Sequence, residues 1–171
     1  RITRPEQIIQ SFPLAVQTML DPADCGPACI ALSQDIQGQT FDYPEEFFKE
    51  KVHAIRRPRP DEFQIKEAAE KIKSSKNPII ISGGGVFYSD AMEELSQFAT
   101  KHNIPVTQTV MGYSTLKRDH SHFAGQIGGL GGKNTNTLAK ETDLAIAVGT
   151  KLADFTTGSW ANFENENFKL V

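Results

Sequence analysis

The segment PIIISGGG, residues 78–85, decides the fold of this chain. Its residues Ile79, Ile80 and Ile81 follow one another without polar alternation, which predicts a strand covered on both faces, as in a parallel sheet. The three glycines that follow allow a sharp turn and a close approach of another group to the backbone. A helical pattern comes next. This order of strand, glycine turn and helix predicts an α/β fold in which ligands bind at the carboxyl ends of the strands.

The same alternation continues towards the C-terminus. The segments IPVTQTV (residues 104–110) and DLAIAVG (residues 143–149) predict two more buried strands, with helices near residues 89–101 and 135–141. In the first of these helices, Asp90 and Glu93 resemble a capping box. Right-handed crossovers would make the three strands parallel. The final FKLV predicts half of a further strand, so we expect a Rossmann-like parallel sheet with flanking helices, truncated at the C-terminus, in a fragment of a longer polypeptide.

Two helices and a linker are predicted before this sheet. Thr3 and Glu6 form a capping-box pattern ahead of an apolar periodic segment, and Asp61 is predicted to cap a second helix with residues 65, 68, 69 and 72 on its inner face. Between them, CIALSQD (residues 29–35) predicts a short buried strand. The stretch from there to about residue 60 lacks periodicity. Its aromatic cluster and its RRPRP segment predict an extended linker packed on its neighbours.

Composition excludes several classes of protein. The chain has 171 residues, a formal net charge of −3 and no run of basic residues, which argues against nucleic acid as a partner. No apolar stretch approaches the roughly 20 residues that span a bilayer, and the first residues lack a signal-peptide layout, so we expect no membrane partner and a cytoplasmic location. Cys25 and Cys29 have no histidine nearby. We expect neither a disulfide nor a zinc site there, with Cys25 in a turn and Cys29 buried.

Glycine-containing loops follow the predicted strands at four places: Gly83–Gly85, Gly112, the run between residues 125 and 132, and Gly149. In a parallel sheet these loops converge on one edge. Two interpretations stay open, since backbone amides there could hold a phosphate or another anion, or the glycines could simply close tight turns. The triplet is not a G-x-G-x-x-G fingerprint and no acidic residue follows at the ribose position, which disfavours a nicotinamide dehydrogenase.

No arrangement of residues typical of catalysis or of a metal site occurs in the sequence, so we predict that the segment is not catalytic by itself. His120 and His122 lie in a loop at the functional edge, where packing and substrate contact are the alternatives. His102 is predicted to complement the dipole at a helix C-terminus. Asp154 could contact a ligand or cap a turn, and Trp160 could stack on a ligand or pack an interface.

Taken in order, several segments resemble the thiamine diphosphate enzymes, above all their central domain: GPACIALSQDIQ, RRPRP, NPIIISGGG, IPVTQTVMG, GGLGG and DLAIAVGTKLADFTTGSW. Within that family, DYPEEFF, RRPRPDE and DFTTGSW resemble the branch that opens a cyclic polyol-dione in myo-inositol catabolism. The acetohydroxyacid synthase branch is the alternative. The resemblance covers nearly the whole chain.

The resemblance implies three parts: residues 1–37 as the C-terminal end of the pyrimidine-binding domain, 38–60 as a linker and 61–171 as the first part of the central domain. It implies that the full-length parent is a hydrolase that cleaves a C–C bond of a cyclic 1,2-dione to give open-chain deoxyglucuronate. Thiamine diphosphate would supply the nucleophile and the electron sink, and would be held with Mg²⁺ by residues outside this chain. A homodimer or homotetramer is implied for the parent.

The resemblance also bears on nucleotide binding. In acetohydroxyacid synthases the central domain holds FAD through the triple-glycine region and an arginine that follows the third strand's glycine. The matching positions here are Gly83, Gly84, Gly85, Gly149 and Lys151. Lysine keeps the charge but lacks the planar fork of arginine, so FAD is not expected. Two alternatives remain, an inherited scaffold that binds no nucleotide tightly and a stand-alone FAD or adenine-nucleotide module.

Overall fold

The computed structural model describes residues 1–21, 25–55 and 57–171. Three residues of the predicted DPADCGP turn and the first arginine of RRPRP lie outside the described residues. The chain divides into two compact units, Arg1–Arg59 and Pro60–Val171.

The first unit contains two α-helices and two 3₁₀ turns in its described part: the turn Pro5–Gln7, α1 (Ile8–Met19), α2 (Gln34–Gln37) and the turn Glu45–Phe48. The predicted capping box of Thr3 and Glu6 is wrong in both partners, because Arg4 is the N-cap and the side chain of Gln7 accepts hydrogen bonds from the amides of Thr3 (2.8 Å) and Arg4 (3.3 Å). Glu6 instead forms an ion pair with Arg4. The rings of the aromatic cluster contact one another, with Phe47 stacked on Tyr43 at 5.8 Å between ring centroids, but the expected packing is only partial because Phe48 is 69% exposed.

The predicted strand at residues 29–35 is wrong. One parallel bridge joins Ile2 to Leu32, and α2 begins two residues later. A single bridge does not make a ladder, and no residue of 29–35 is buried; the nearest buried apolar residue is Ile36, on α2. Cys29 was expected to be buried but is exposed. Cys25 is exposed as well, and both thiols are free.

The second unit is a parallel sheet with helices on both faces. Its elements are α3 (Glu62–Ser74), β1 (Pro78–Ser82), α4 (Gly84–Tyr88), α5 (Met92–His102), β2 (Val106–Gln108), β3 (Phe123–Gln126), α6 (Lys133–Glu141), β4 (Leu144–Val148), α7 (Asp154–Thr157) and β5 (Lys169–Leu170). The strand order is β3-β2-β1-β4-β5, and every pairing is parallel. The predicted Rossmann-like α/β class is therefore confirmed, and the strand order reverses between β1 and β4.

Strand β1 is covered on both faces, as its uninterrupted apolar run predicts. Ile80 belongs to a core cluster with Leu95 and Ala99 of α5. Ile79 and Ile81 belong to a second cluster on the opposite face, which includes Ala139 of α6. All three isoleucines are at most 2% exposed, so the centre of the sheet lies at β1.

Three details differ from the sequence prediction. The helix expected near residues 89–101 is α5, which begins only at Met92 because Asp90 has a positive φ of 54° and Ala91 is the N-cap; the short helix α4 before it was not predicted. The side chain of Asp90 therefore makes no capping bond to α5. Strand β3 is missing from the prediction, since it is short, contains Gly125 and owes its extended form to pairing with β2. On α3, Ile65 is 49% exposed, and the core contact comes from Ile72 in the last turn.

The N-cap prediction for α3 is confirmed. The carboxylate of Asp61 accepts hydrogen bonds from the amides of Phe63 (2.9 Å) and Gln64 (3.3 Å). Two of the four amides that a helix start leaves without an intrahelical partner are satisfied in this way.

Candidate functional site

The loops that follow β1 and β4 meet where the strand order reverses, which is the usual ligand crevice of an open α/β sheet. The amide of Gly83 donates to the carbonyl of Val148 at 2.9 Å, and the amide of Gly85 donates to the carbonyl of Gly149 at 2.8 Å. The two loops are thus joined backbone to backbone. The structure brings the predicted glycines together at this edge of the sheet.

The glycines at this point are required by contact between the loops. A Cβ atom on Gly83 would lie 2.4 Å from the carbonyl oxygen of Gly149. A Cβ atom on Gly85 would lie 2.6 Å from the Cα atom of Gly149. Gly149 itself has φ +58°, and a Cβ there would lie 2.6 Å from the amide nitrogen of Val86. No side chain larger than hydrogen fits, so the protein's own backbone fills the space between these two loops.

The other two glycine loops reach the same edge, which confirms the predicted convergence. A Cβ on Gly112, after β2, would lie 2.0 Å from the carbonyl oxygen of Ser82. In the loop after β3, Gly129 donates its amide to the carbonyl of Phe155 at 2.9 Å. Gly128 has φ +91°, and a Cβ there would lie 2.2 Å from the same carbonyl.

Lys151 follows this cluster on the loop between β4 and α7. Its carbonyl accepts hydrogen bonds from the amide of Ala153 (2.8 Å) and the hydroxyl of Thr150 (3.1 Å), which fixes the backbone. Its side chain is exposed, and its ammonium group has no ion-pair partner among the described residues. The charge is therefore available at the carboxyl ends of the strands. The role of the five predicted site residues, Gly83, Gly84, Gly85, Gly149 and Lys151, in nucleotide binding stays a prediction.

His120 and His122 attach the loop before β3 to α5. Nε2 of His120 lies 3.1 Å from the hydroxyl of Ser96, and its Nδ1 accepts a hydrogen bond from the amide of His122 at 3.1 Å. Nε2 of His122 lies 2.9 Å from Oδ1 of Asn103, the residue that ends α5 in the left-handed conformation. These contacts favour packing over substrate contact. His102 lies in the last turn of α5, as predicted, with its ring 4.6 Å from that of Phe98.

Asp154 and Trp160 belong to the turn around α7. Asp154 is the first residue of α7, and its carboxylate accepts a hydrogen bond from the hydroxyl of Ser159 at 2.7 Å. The turn-capping alternative is thus the one that the geometry favours for Asp154. Trp160 donates its amide to the hydroxyl of Thr157, and its ring lies 5.8 Å from that of Phe163, half exposed.

Asp143, which the sequence prediction missed, lies just before β4. It is at the amino ends of the strands, opposite to the ends from which the glycine loops extend. Burial of its carboxylate acts to raise its pKa, but hydrogen bonds from the hydroxyl of Ser75 and the amides of Lys76 (2.8 Å) and Asn77 (3.0 Å) outweigh this, and its pKa is lowered. The carboxylate joins the loop between α3 and β1 to the start of β4. Its position at the amino ends of the strands indicates a structural role.

Residues 1–21, 25–55 and 57–171 contain no group of three or more His, Cys, Asp or Glu side chains that could hold a metal ion. Such a site needs several oxygen ligands brought to one point. Within the same ranges, no helix has the length and apolar character needed to cross a bilayer.

Comparison with known proteins gives a consistent result. Residues 65–171 match the family model described as "Thiamine pyrophosphate enzyme, central domain". All 171 residues align with proteins named 3D-(3,5/4)-trihydroxycyclohexane-1,2-dione hydrolase, at 47% identity in Clostridium perfringens (strain 13), 46% in Clostridium botulinum (strain Eklund 17B) and 43% in Bacillus cereus (strain ZK). The chain spans 27% of the length of each of these relatives.

A solved structure shows the same fold. The benzoylformate decarboxylase from Polynucleobacter necessarius superimposes with a TM-score of 0.72 over 99% of this chain and 31% of that chain, at 22% sequence identity. The likeness concerns the arrangement of strands and helices.

Proposed function

The chain belongs to the thiamine pyrophosphate enzyme family, and from this premise we propose that it forms part of a hydrolase that opens the ring of 3D-(3,5/4)-trihydroxycyclohexane-1,2-dione. The observation that carries the proposal is the identity of 43–47% over all 171 residues with hydrolases of that name. The reaction cleaves a C–C bond with water and gives 5-deoxyglucuronate, a step of myo-inositol catabolism.

The activity is proposed for the longer protein. Since the relatives are several times longer than this chain, we assign to residues 1–37 the end of the pyrimidine-binding domain, to 38–60 a linker and to 61–171 the first part of the central domain. Thiamine diphosphate and Mg²⁺ are assigned to residues of the longer protein outside this chain. The parent is proposed to be a cytoplasmic homodimer or homotetramer, and the chain alone to be inactive.

The part that this chain plays is architectural. Gly83, Gly84, Gly85, Gly149 and Lys151 are proposed as a vestigial nucleotide site, in which the glycines hold the loops after β1 and β4 together. Two observations support this: the amide-to-carbonyl bonds between the loops and the close approaches at the glycine Cα atoms. A lysine in place of an arginine supports it further, because its compact ammonium group cannot form two parallel hydrogen bonds with a phosphate.

An assay of the longer protein tests the proposed function. With thiamine diphosphate and Mg²⁺ present, we expect the cyclic dione to be consumed with formation of one carboxylate per ring, and no consumption when the cofactor is omitted. Pyruvate is the competing substrate, since the alternative is an acetohydroxyacid synthase. Condensation of pyruvate without opening of the ring would assign the protein to that branch.

A further inference from the structure

A cavity of about 310 Å³ opens between the carboxyl ends of β2 and β3. Gln108 and Gln126, the last residues of these two strands, are register partners and both line it. Gly132 and Thr135, at the start of α6, form another wall. The cavity contains none of the glycines at which the loops after β1 and β4 meet.

Gln108 presents an acceptor to this cavity. The residue is 2% exposed, and its Nε2 donates to the carbonyl of Leu116 (2.9 Å) and the hydroxyl of Thr115 (3.3 Å). Its Oε1 has no hydrogen-bond partner among the described residues. Among the described residues, every side-chain oxygen that is sealed from solvent has a hydrogen-bond partner, so the unpartnered Oε1 must retain contact with solvent, and Gln108 lines this cavity. A nearly buried acceptor without a protein donor favours a ligand that supplies one, such as a hydroxyl group.

Arg118 supplies positive charge at the same cavity. Its guanidinium lies 5.4 Å from the ring centroid of Tyr113 and donates to the Tyr113 hydroxyl at 3.1 Å, which holds its orientation. It has no ion pair among the described residues, and the residues that line the cavity include no carboxylate. The start of α6 adds the positive end of a helix dipole. A planar guanidinium with free N–H groups is suited to a carboxylate.

We propose that this cavity binds a small polyhydroxylated carboxylate, with its carboxylate on Arg118 and a hydroxyl group donating to Oε1 of Gln108. The choice of ligand class rests in part on the proposed function. When water cleaves the bond between two adjacent carbonyl carbons, one carbon takes the hydroxyl group and becomes a carboxylic acid, and the other takes hydrogen and becomes an aldehyde. The ring-opened product is therefore a polyhydroxylated carboxylate, and the cavity is a product-binding site.

Titration of the complete 171-residue chain, followed by heteronuclear NMR, tests this site with D-gluconate as the probe. We expect saturable shifts of the backbone amides of Gly125 and Gly132, which line the cavity. Two control ligands each lack one of the two groups that the site is proposed to recognise. myo-Inositol has hydroxyl groups but no carboxylate, and pentanoate has a carboxylate but no hydroxyl groups. Each is expected to bind at least about tenfold more weakly than gluconate, because one set of contacts is lost.

Variants locate the binding. Arg118→Ala should weaken gluconate at least about tenfold, whereas Lys117→Ala, which removes a neighbouring exposed cation that lines a different cavity, should leave it unchanged. Gln108→Met keeps the volume but removes both the acceptor Oε1 and the Nε2 donor to Leu116 and Thr115, so in a folded variant it should weaken gluconate and leave pentanoate unchanged. Should that variant unfold, as judged by the fluorescence of Trp160, the Arg118 comparison decides.

Several results would overturn the proposal: no saturable shifts with gluconate, equal binding by Arg118→Ala, or binding of pentanoate or inorganic phosphate as tight as that of gluconate. The last result would mark a plain anion site. Because this titration uses the chain itself and the ring-opening assay uses the longer protein, either can fail independently. If the chain bound gluconate but the longer protein did not open the ring, the cavity would still be a site for polyhydroxylated carboxylates, but it would no longer be assigned as a product-binding site.

Discussion

Gly149 shows at the residue scale why a glycine is needed where two loops touch. Its φ is +58°, and a Cβ atom there would meet the backbone of Gly85 and Val86 at 2.6–2.8 Å. The sequence predicts that these glycines share an edge, but the pattern alone leaves open whether a ligand or another loop comes close to them. The three-dimensional contacts favour the loop.

Gly149→Ala should therefore destabilise the second unit by about 2–4 kcal/mol, since both a left-handed backbone and a backbone collision oppose the methyl group. Urea unfolding followed by the fluorescence of Trp160, the single tryptophan of the chain, measures the change. Gly132→Ala is the matched control, because a Cβ there meets nothing closer than 4.0 Å and φ is −68°. The control should cost less than about 1 kcal/mol. Equal losses in the two variants would contradict the role given to Gly149.

Asp143 gives a prediction for pH. Its pKa is lower in the folded protein than the ordinary value of 3.8, so its contribution to stability is fully present above that value and is lost as the pH falls through the folded pKa. Asp143→Asn should lower the free energy of unfolding by about 1 kcal/mol at pH 7, a modest figure because the site is partly open to solvent. The difference from the unmodified chain should shrink below pH 4.

Glu166→Gln provides the comparison for charge, since Glu166 is exposed and makes no hydrogen bond or ion pair among the described residues. Its unfolding free energy at pH 7 should match that of the unmodified chain. If Asp143→Asn kept a constant difference between pH 7 and pH 3, the carboxylate would not be the source of the effect.

At the scale of elements, the quality of the sequence prediction follows the strength of the local signal. Strands β1 and β4 have uninterrupted apolar residues and were predictable, as were β2 from the IPVTQTV segment and α3 from Asp61. Strand β3 carries a glycine and is extended because β2 pairs with it, which local pattern does not encode. Gln108 and Arg118 were missed for a similar reason, since they meet around one cavity only after β2 and the loop that follows it have folded.

The cap of α3 offers a test at this scale. Asp61→Ala removes the acceptor for the amides of Phe63 and Gln64, and should cost about 0.5–2 kcal/mol in the unfolding of the second unit. Asp61→Ser keeps a capping oxygen and should recover most of the loss. The same urea titration measures both variants. A serine variant as unstable as the alanine variant would show that capping is not what Asp61 contributes.

At the scale of the whole molecule, the second unit has a fold that often binds nucleotides. The strand order of its sheet reverses between β1 and β4, and at that point the protein's own loops contact one another. The four glycine loops converge as the sequence predicts, and at the reversal they contact one another. Residues 65–171 belong to the central domain of the thiamine pyrophosphate enzyme family, and under the proposed function this sheet serves as architecture while the chemistry lies outside this chain.

Calorimetric titration of the chain with FAD, ADP and thiamine diphosphate tests this account most directly, after cooperative unfolding by Trp160 fluorescence has shown that the second unit is folded. We predict no heat of binding for any of the three up to millimolar concentration. One-to-one binding of FAD or ADP with a micromolar dissociation constant would contradict the account, because a nucleotide would then occupy the edge where the glycine loops meet.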